Sequence, residues 1–145
     1  MSSPRIIDCT NFNSQERHQI IDHLRCQLIE FNGAICSETE ISPVLFAIRD
    51  GSEDLLGGLV GRIAWGWLHI EILWLGSELR GQGLGTRLLA KAEDLARKNK
   101  CTGIYLDTFS FQAPEFYTSL GFRVFGKIED FPEGHCRYFL QKKIV

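Results

Sequence analysis

A mixed α/β sheet with helices packed against it is the fold expected of this sequence, and three observations carry the expectation. Short apolar runs separated by turn-forming residues read as strands, while two longer stretches repeat apolar residues every three or four positions. The strand and helix signals are interleaved along the chain, which points to one layered sheet. The 145 residues are 44% apolar and 23% charged, enough for the core of a single domain spanning 1–145.

The elements follow in order. "PRIIDC" is expected to be a first strand. "NSQERHQIIDHLRCQLIEFN" places Ile20, Ile21, Leu24 and Leu28 on one helical stripe, with Asn13 or Ser14 as cap. "NGAICSETEIS" is polar and irregular, hence a loop. "PVLFAIR" and "LLGGLVGRIAW" flank the turn "DGSED", and the glycines of the second strand invite a bend or bulge. "WLHIEILWL" is apolar on both faces, so a central strand covered on both sides is expected, with Trp67, His69, Glu71 and Leu73 on one face. A glycine loop and a helix follow, with Leu88, Leu89, Ala92, Leu95 and Ala96 as its buried stripe. "TGIYLDTF" is a buried strand, and "QAPEFYTSLGF" a short helix closed by Gly121. "FRVFGKI" and "HCRYFLQKKI" are the last two strands, giving the order β α β β β α β α β β.

The totals exclude several function classes. A net charge of −2 does not suit a long nucleic-acid track. No run of eighteen apolar residues exists and the N-terminus lacks a signal-type hydrophobic region, so no membrane role is expected. Cys9, Cys26, Cys36, Cys101 and Cys136 are scattered, odd in number and without a CxxC pair. They argue against a disulfide framework and against a metal site, and fit a reducing cytoplasm.

The chemistry concentrates in "LRGQGLGTRLL", where Gly81, Gly83 and Gly85 stand directly before a helix. The first amides of a helix lack intrahelical partners and sit at the positive end of its dipole, so they form an anion site that needs close backbone approach. Glycines remove the Cβ atoms that would hold a phosphate away and allow positive φ. Arg80 adds a guanidinium. A Walker loop is excluded, because Thr86 and Arg87 follow Gly85 where a lysine is required. A dinucleotide fingerprint is disfavoured, because its third glycine position holds Thr86 and several strands precede it.

"LRGQGLGTRLL" resembles the coenzyme-A loop of the GNAT-type N-acetyltransferases, and the likeness continues through "GIYLDTF", "FYTSLGFRVFG" and the closing strand, roughly Val44 to Lys142. The pairing of R-G-x-G-x-G with F-Y-x-x-L-G-F about thirty residues later is its specific part, and small stand-alone bacterial members are the nearest in kind. The resemblance implies a mostly antiparallel sheet in the GNAT acyltransferase fold, and acetyl-CoA as cosubstrate. Its pyrophosphate would lie on Arg80, Gly81, Gln82, Gly83, Leu84, Gly85 and Thr86, and its pantetheine arm along Leu73, Trp74 and Leu75, with the Leu75 N–H on the thioester carbonyl. Ser110 stands where many members have a cofactor-contacting asparagine, so Ser110 or Gln112 takes that contact or it is missing.

The implied reaction is direct attack of a primary amine on the thioester, which needs a base, a polarised carbonyl and a proton for the thiolate. Tyr117, in the pattern Y-x-x-x-G-F, is the acid candidate; its phenol and the leaving thiol have neighbouring pKa values, about 10 and about 8.5. Glu71 is the base candidate, working through water; a carboxylate among apolar neighbours is either paired or functional. His69, two residues away and titratable near neutrality, is the second candidate. Asp107 either orients substrate or caps a turn.

The acceptor, a small-molecule or peptide amine, would be met by Asn32 to Ser42, by the Glu71 face, and by Phe131 to Arg137, with His135 and Arg137 as contacts. Glu38, Glu40, Glu129, Asp130 and Glu133 suit a cation, or are ordinary solvated loop charge. Phe109, Phe111, Trp65 and Trp67 would form an aromatic wall, at least two of them through core packing. A non-catalytic acyl-CoA sensor, or an acyltransferase with another donor or acceptor, would keep the same loop. A homodimer is an open expectation.

Overall fold

The computed structural model describes residues 2–37 and 40–145; Glu38, one of the acidic acceptor candidates, lies outside them. The chain forms two compact units, Met1–Thr39 and Glu40–Val145. In the first, helix α1 runs from Ser14 to Ile35. Asn13 caps it, its Oδ1 accepting the Glu16 N–H at 2.9 Å. The helix extends through residues 32–35, where the polar composition predicts a loop.

The expected strand at residues 4–9 is absent. That segment has no regular structure, and Ile6 is fully exposed. A strand needs a neighbour for its backbone groups. Here the chain turns instead, with the Thr10 N–H on Asp8 Oδ1 and the Phe12 N–H on the Cys9 carbonyl.

The second unit is a six-stranded sheet built from β1 (Ser42–Arg49), β2 (Leu55–Ala64), β3 (Trp67–Leu75), β4 (Gly103–Phe109), β5 (Arg123–Glu129) and β6 (Cys136–Lys143), in the order β1-β2-β3-β4-β6-β5. Only β3 and β4 are parallel, and the connection this requires is made by α2 (Leu84–Lys98). A short helix, α3 (Pro114–Ser119), links β4 to β5, and Gly121 just beyond it takes φ +93°, the left-handed cap expected of it. Leu88, Leu89, Ala92 and Ala96 of α2 are buried, and Leu95 packs beside them, against Leu59, Leu68, Ile104, Leu106 and Leu140 of the sheet. Each buried leucine or isoleucine stabilises the fold by about 1.5–3 kcal/mol. Glu93 ties α2 to β6, accepting from Arg97 at 2.6 Å and Lys142 at 2.8 Å.

Strand β3 departs from simple alternation. Gly61 of β2 stands opposite Ile70, but Val60 stands opposite Ile72, so Glu71 is the extra residue of a β-bulge. The bulge exchanges the faces of the strand. Before it, Leu68 and Ile70 enter the core; after it, Leu73 and Leu75 do. The expected common face of Trp67, His69, Glu71 and Leu73 is therefore broken at Glu71. Within this unit Ile72 and Trp74 are each more than half exposed, against the expected cover on both faces of β3.

Candidate functional site

Pairing between β3 and β4 runs from Trp67–Gly103 to Ile70–Leu106 and stops there, although β3 continues to Leu75 and β4 to Phe109. Past that point the two parallel strands part. The gap is a cleft of about 1030 Å³, walled by Glu71 to Leu75 on one side, Asp107 and Thr108 on the other, and closed by the glycine loop and α3.

The backbone of β3 faces this gap. The Gly76 N–H donates to the Leu56 carbonyl at 2.8 Å, which makes that antiparallel pair a hydrogen-bonded one. Bonded and non-bonded pairs alternate, so Leu75, opposite Gly57, and Leu73, opposite Leu59, turn their N–H and C=O groups away from β2 and toward the split. The Leu75 carbonyl accordingly accepts from Arg80 Nε at 3.2 Å. Trp74 also lines the cleft.

A 3₁₀ turn, Ser77–Leu79, carries the chain from β3 into the loop. Gly81 and Gly83 both have φ +76°, and a Cβ built on either would meet nothing within 4 Å. Gly83 is the N-cap of α2, whose first intrahelical bond joins the Arg87 N–H to the Gly83 carbonyl. The amides of Leu84, Gly85 and Thr86 thus belong to a first turn with no helix carbonyl to bind, and these residues line the cleft. Gly85 has another reason to be glycine: a Cβ there would lie 3.1 Å from Phe116 Cζ and 3.6 Å from Leu75 Cδ1. That close fit brings α2 against α3. Gln82 does not line the cleft; its Nε2 turns back to the Glu78 carbonyl at 2.8 Å.

Tyr117 reaches the cleft from α3, held edge-on by Phe116 at 5.1 Å and Phe122 at 6.0 Å. Burial pushes its phenol above the ordinary tyrosine value, so it keeps its proton at neutral pH. Glu71 lines the cleft at the bulge, its Oε1 3.2 Å from Arg62 Nε. His69 lies behind it, outside the lining, stacked flat on Tyr105 with ring centres 4.4 Å apart. Its buried Nδ1 has no hydrogen-bond partner among the described residues and is 3.9 Å from Glu71 Oε1. Burial, helped by the Arg62 guanidinium, holds the imidazole below its ordinary value, against the opposing pull of Glu71 and Asp107.

No local motif singles out Arg62, yet hairpin register makes its position countable. Trp65 and Gly66 both take positive φ in a two-residue turn, so Ala64 pairs with Trp67 and Arg62 with His69.

The two cofactor-contact candidates separate. Ser110 does not line the cleft; its Oγ accepts the Cys136 N–H at 3.1 Å and joins the end of β4 to the start of β6. Gln112 lines the cleft while its Oε1 accepts the Phe109 N–H at 3.1 Å. Asp107 also lines it, and is no turn cap: its Oδ2 accepts from Arg137 Nε at 2.7 Å and pairs with Nη2 at 2.6 Å. Phe109 and Phe111 gather beside this pair. Trp65 and Trp67 are at the β2–β3 turn, away from the cleft; Trp67 packs on Tyr105 with Lys143 over its ring.

Comparison with known proteins agrees with this architecture. The profile of the acetyltransferase (GNAT) family matches residues 9–122. A blasticidin-S acetyltransferase of Streptomyces morookaense is 45% identical over 92 residues, which are 63% of this chain and 68% of that protein. A crystal structure of an acetyltransferase from Bacillus cereus superposes with a TM-score of 0.84 at 31% identity, covering 97% of this chain and 98% of that one. A Bacillus anthracis structure in complex with acetyl coenzyme A shares the fold, with a TM-score of 0.63 at 21% identity over 71% of this chain and 63% of that one. A family match of that extent, on a sheet split beside a glycine-capped helix, makes this protein a member of the acetyltransferase (GNAT) family of acyltransferase enzymes.

Proposed function

We propose that the enzyme transfers the acetyl group of acetyl-CoA to the amine of a small molecule, by direct attack within the split between β3 and β4. The observation that carries this reading is the junction of the split with the first turn of α2. There, Leu73 and Leu75 turn backbone groups into the split, and Gly81 and Gly83 leave open space in front of helix amides. An extended amide-bearing arm suits the first feature, and a diphosphate suits the second.

The residues divide the work. The loop amides and Arg80 hold the diphosphate, and the Leu75 N–H polarises the thioester carbonyl. Glu71 takes the proton of the attacking amine through water, with His69 and Arg62 behind it. A C–N bond forms, the C–S bond breaks, and Tyr117 gives its proton to the departing thiolate. The small-molecule acceptor class follows the relative that is a blasticidin-S acetyltransferase. Two carboxylates on the cleft wall, Glu71 and Asp107, favour an acceptor that arrives as a cation.

A thermal-shift panel with acetyl-CoA, CoA, ATP and NAD tests the cosubstrate; thiol release with an amine library tests the transfer. A shift with the CoA compounds alone, and thiol release only when amine is present, are expected. A shift with ATP or NAD instead would overturn the loop assignment. CoA binding without thiol release for any amine would favour an acyl-CoA sensor.

A further inference from the structure

The split has two walls, and only one belongs to the transfer chemistry. Opposite Glu71, across the last paired residues Ile70 and Leu106, stands Asp107. Both contacts from Arg137 fall on Asp107 Oδ2, so Oδ1 keeps its acceptor capacity for a donor in the cleft. Arg137 is held in turn by three rings, its guanidinium carbon 5.5 Å from the centre of Phe109, 5.1 Å from Phe131 and 5.3 Å from Phe139. That fixes the carboxylate in place.

The rings themselves form a slab. Phe109 stacks on Phe111 at 5.3 Å and on Phe131 at 5.6 Å, each pair within 9° of parallel. Phe111 is 57% exposed and lines the cleft. Edge-to-face with His135 at 5.0 Å, this large apolar ring is left exposed on a cleft that Asp107 also lines, which is not core packing. A slab of parallel rings is extended most favourably by another flat ring in offset stacking.

We infer that Asp107 and Phe111 form an acceptor subsite that selects ammonium compounds carrying a flat aromatic or heteroaromatic ring. Asp107 holds the cationic or hydrogen-bond-donating group and Phe111 holds the ring. The inference rests on the acetyl-transfer reading, because it assigns the acceptor end of the same cleft.

The test is titration calorimetry of the CoA-saturated protein with 2-phenylethylamine and 2-cyclohexylethylamine, which share the ammonium and the carbon count but differ in flatness. The wild type should bind the flat amine about threefold to tenfold more tightly. Phe111→Ala should erase that preference and Phe111→Tyr should keep it. Asp107→Asn should weaken both amines together by about fivefold or more. CoA affinity within threefold of wild type in each variant shows that the fold and the loop are intact. Equal affinities in the wild type, no binding of either amine, or a preference that survives Phe111→Ala would overturn the subsite. Failure of CoA itself to bind the wild type would strike the acetyl-transfer reading instead, and the subsite with it.

Discussion

Gly83→Val separates the loop's ligand role from its structural role. Gly83 has φ +76°, and a Cβ placed on it would have no atom within 4 Å, so the substitution meets backbone strain but no protein clash. An L-residue in that region costs about 1–2 kcal/mol. For a domain of this size that lowers Tm by about 2–8 °C, at about 2–4 °C per kcal/mol. The branched side chain then fills the space in front of the amides of Leu84, Gly85 and Thr86. Displacing an anion from two such amides removes about 3–6 kcal/mol, at about 1.5–3 kcal/mol per charged hydrogen bond. The expected result is a Kd for CoA raised about a hundredfold or more. Gly66→Val is the matched control. Gly66 has φ +75°, its Cβ would find only Thr102 Oγ1 at 3.9 Å, and it does not line the cleft. It should lose similar stability and keep CoA affinity. Calorimetry with CoA and a melting curve on both variants decide the matter. A Gly83→Val protein that binds CoA within threefold of wild type, or a Gly66→Val protein that loses binding equally, would refute the anion-site assignment.

Tyr117→Phe keeps the ring contacts with Phe116 and Phe122 but removes the acid; kcat should fall tenfold or more with CoA affinity nearly unchanged, and unaltered turnover would remove Tyr117 from the chemistry. Because burial raises the phenol, the midpoint of any alkaline limb in kcat due to Tyr117 should lie above pH 10.0, and a limb centred well below that would belong to another group. Glu71→Gln should lower kcat/KM tenfold or more, by a factor that shrinks as the pH is raised and more of the amine arrives already neutral; a pH-independent loss would point to positioning and not proton transfer. His69 is held below its ordinary value of 6.5 in the fold, so above that pH it is neutral in both states and does not affect stability. As pH falls below 6.5 the unfolded chain takes up the proton first and stability declines, until the folded value is passed. Denaturant titrations between pH 7.5 and 5 should show that decline in the wild type and a shallower one in His69→Gln.

Local sequence carried the fold most of the way. The stripe of α2, the Asn13 cap and the Gly121 cap rest on neighbouring residues, as do the pairings β1–β2, β2–β3 and β5–β6 between consecutive strands. Periodicity and turn chemistry reveal them. The missing strand at residues 4–9 shows the limit of that reasoning. Two isoleucines satisfy strand propensity, but a strand exists only where another strand completes it.

Much of the site was legible for a similar reason. Positive φ at Gly81 and Gly83, with helix amides beyond, follows from composition at one turn. The face of Glu71 did not, because a single bulged residue inverts the parity of every side chain after it, and bulges depend on how two strands fit. Ser110 and Gln112 are two residues apart and indistinguishable as candidates by type, yet one ties β4 to β6 and the other lines the cleft. The α/β layering, the helix-capping glycines and the backbone geometry of the loop are written in the chain itself, since they depend on contacts a few residues apart. Where β3 parts from β4, and that Arg137 clamps Asp107 from thirty residues away, are products of the folded sheet. Those pairings are fixed by register across strands distant in the chain, which no local pattern encodes.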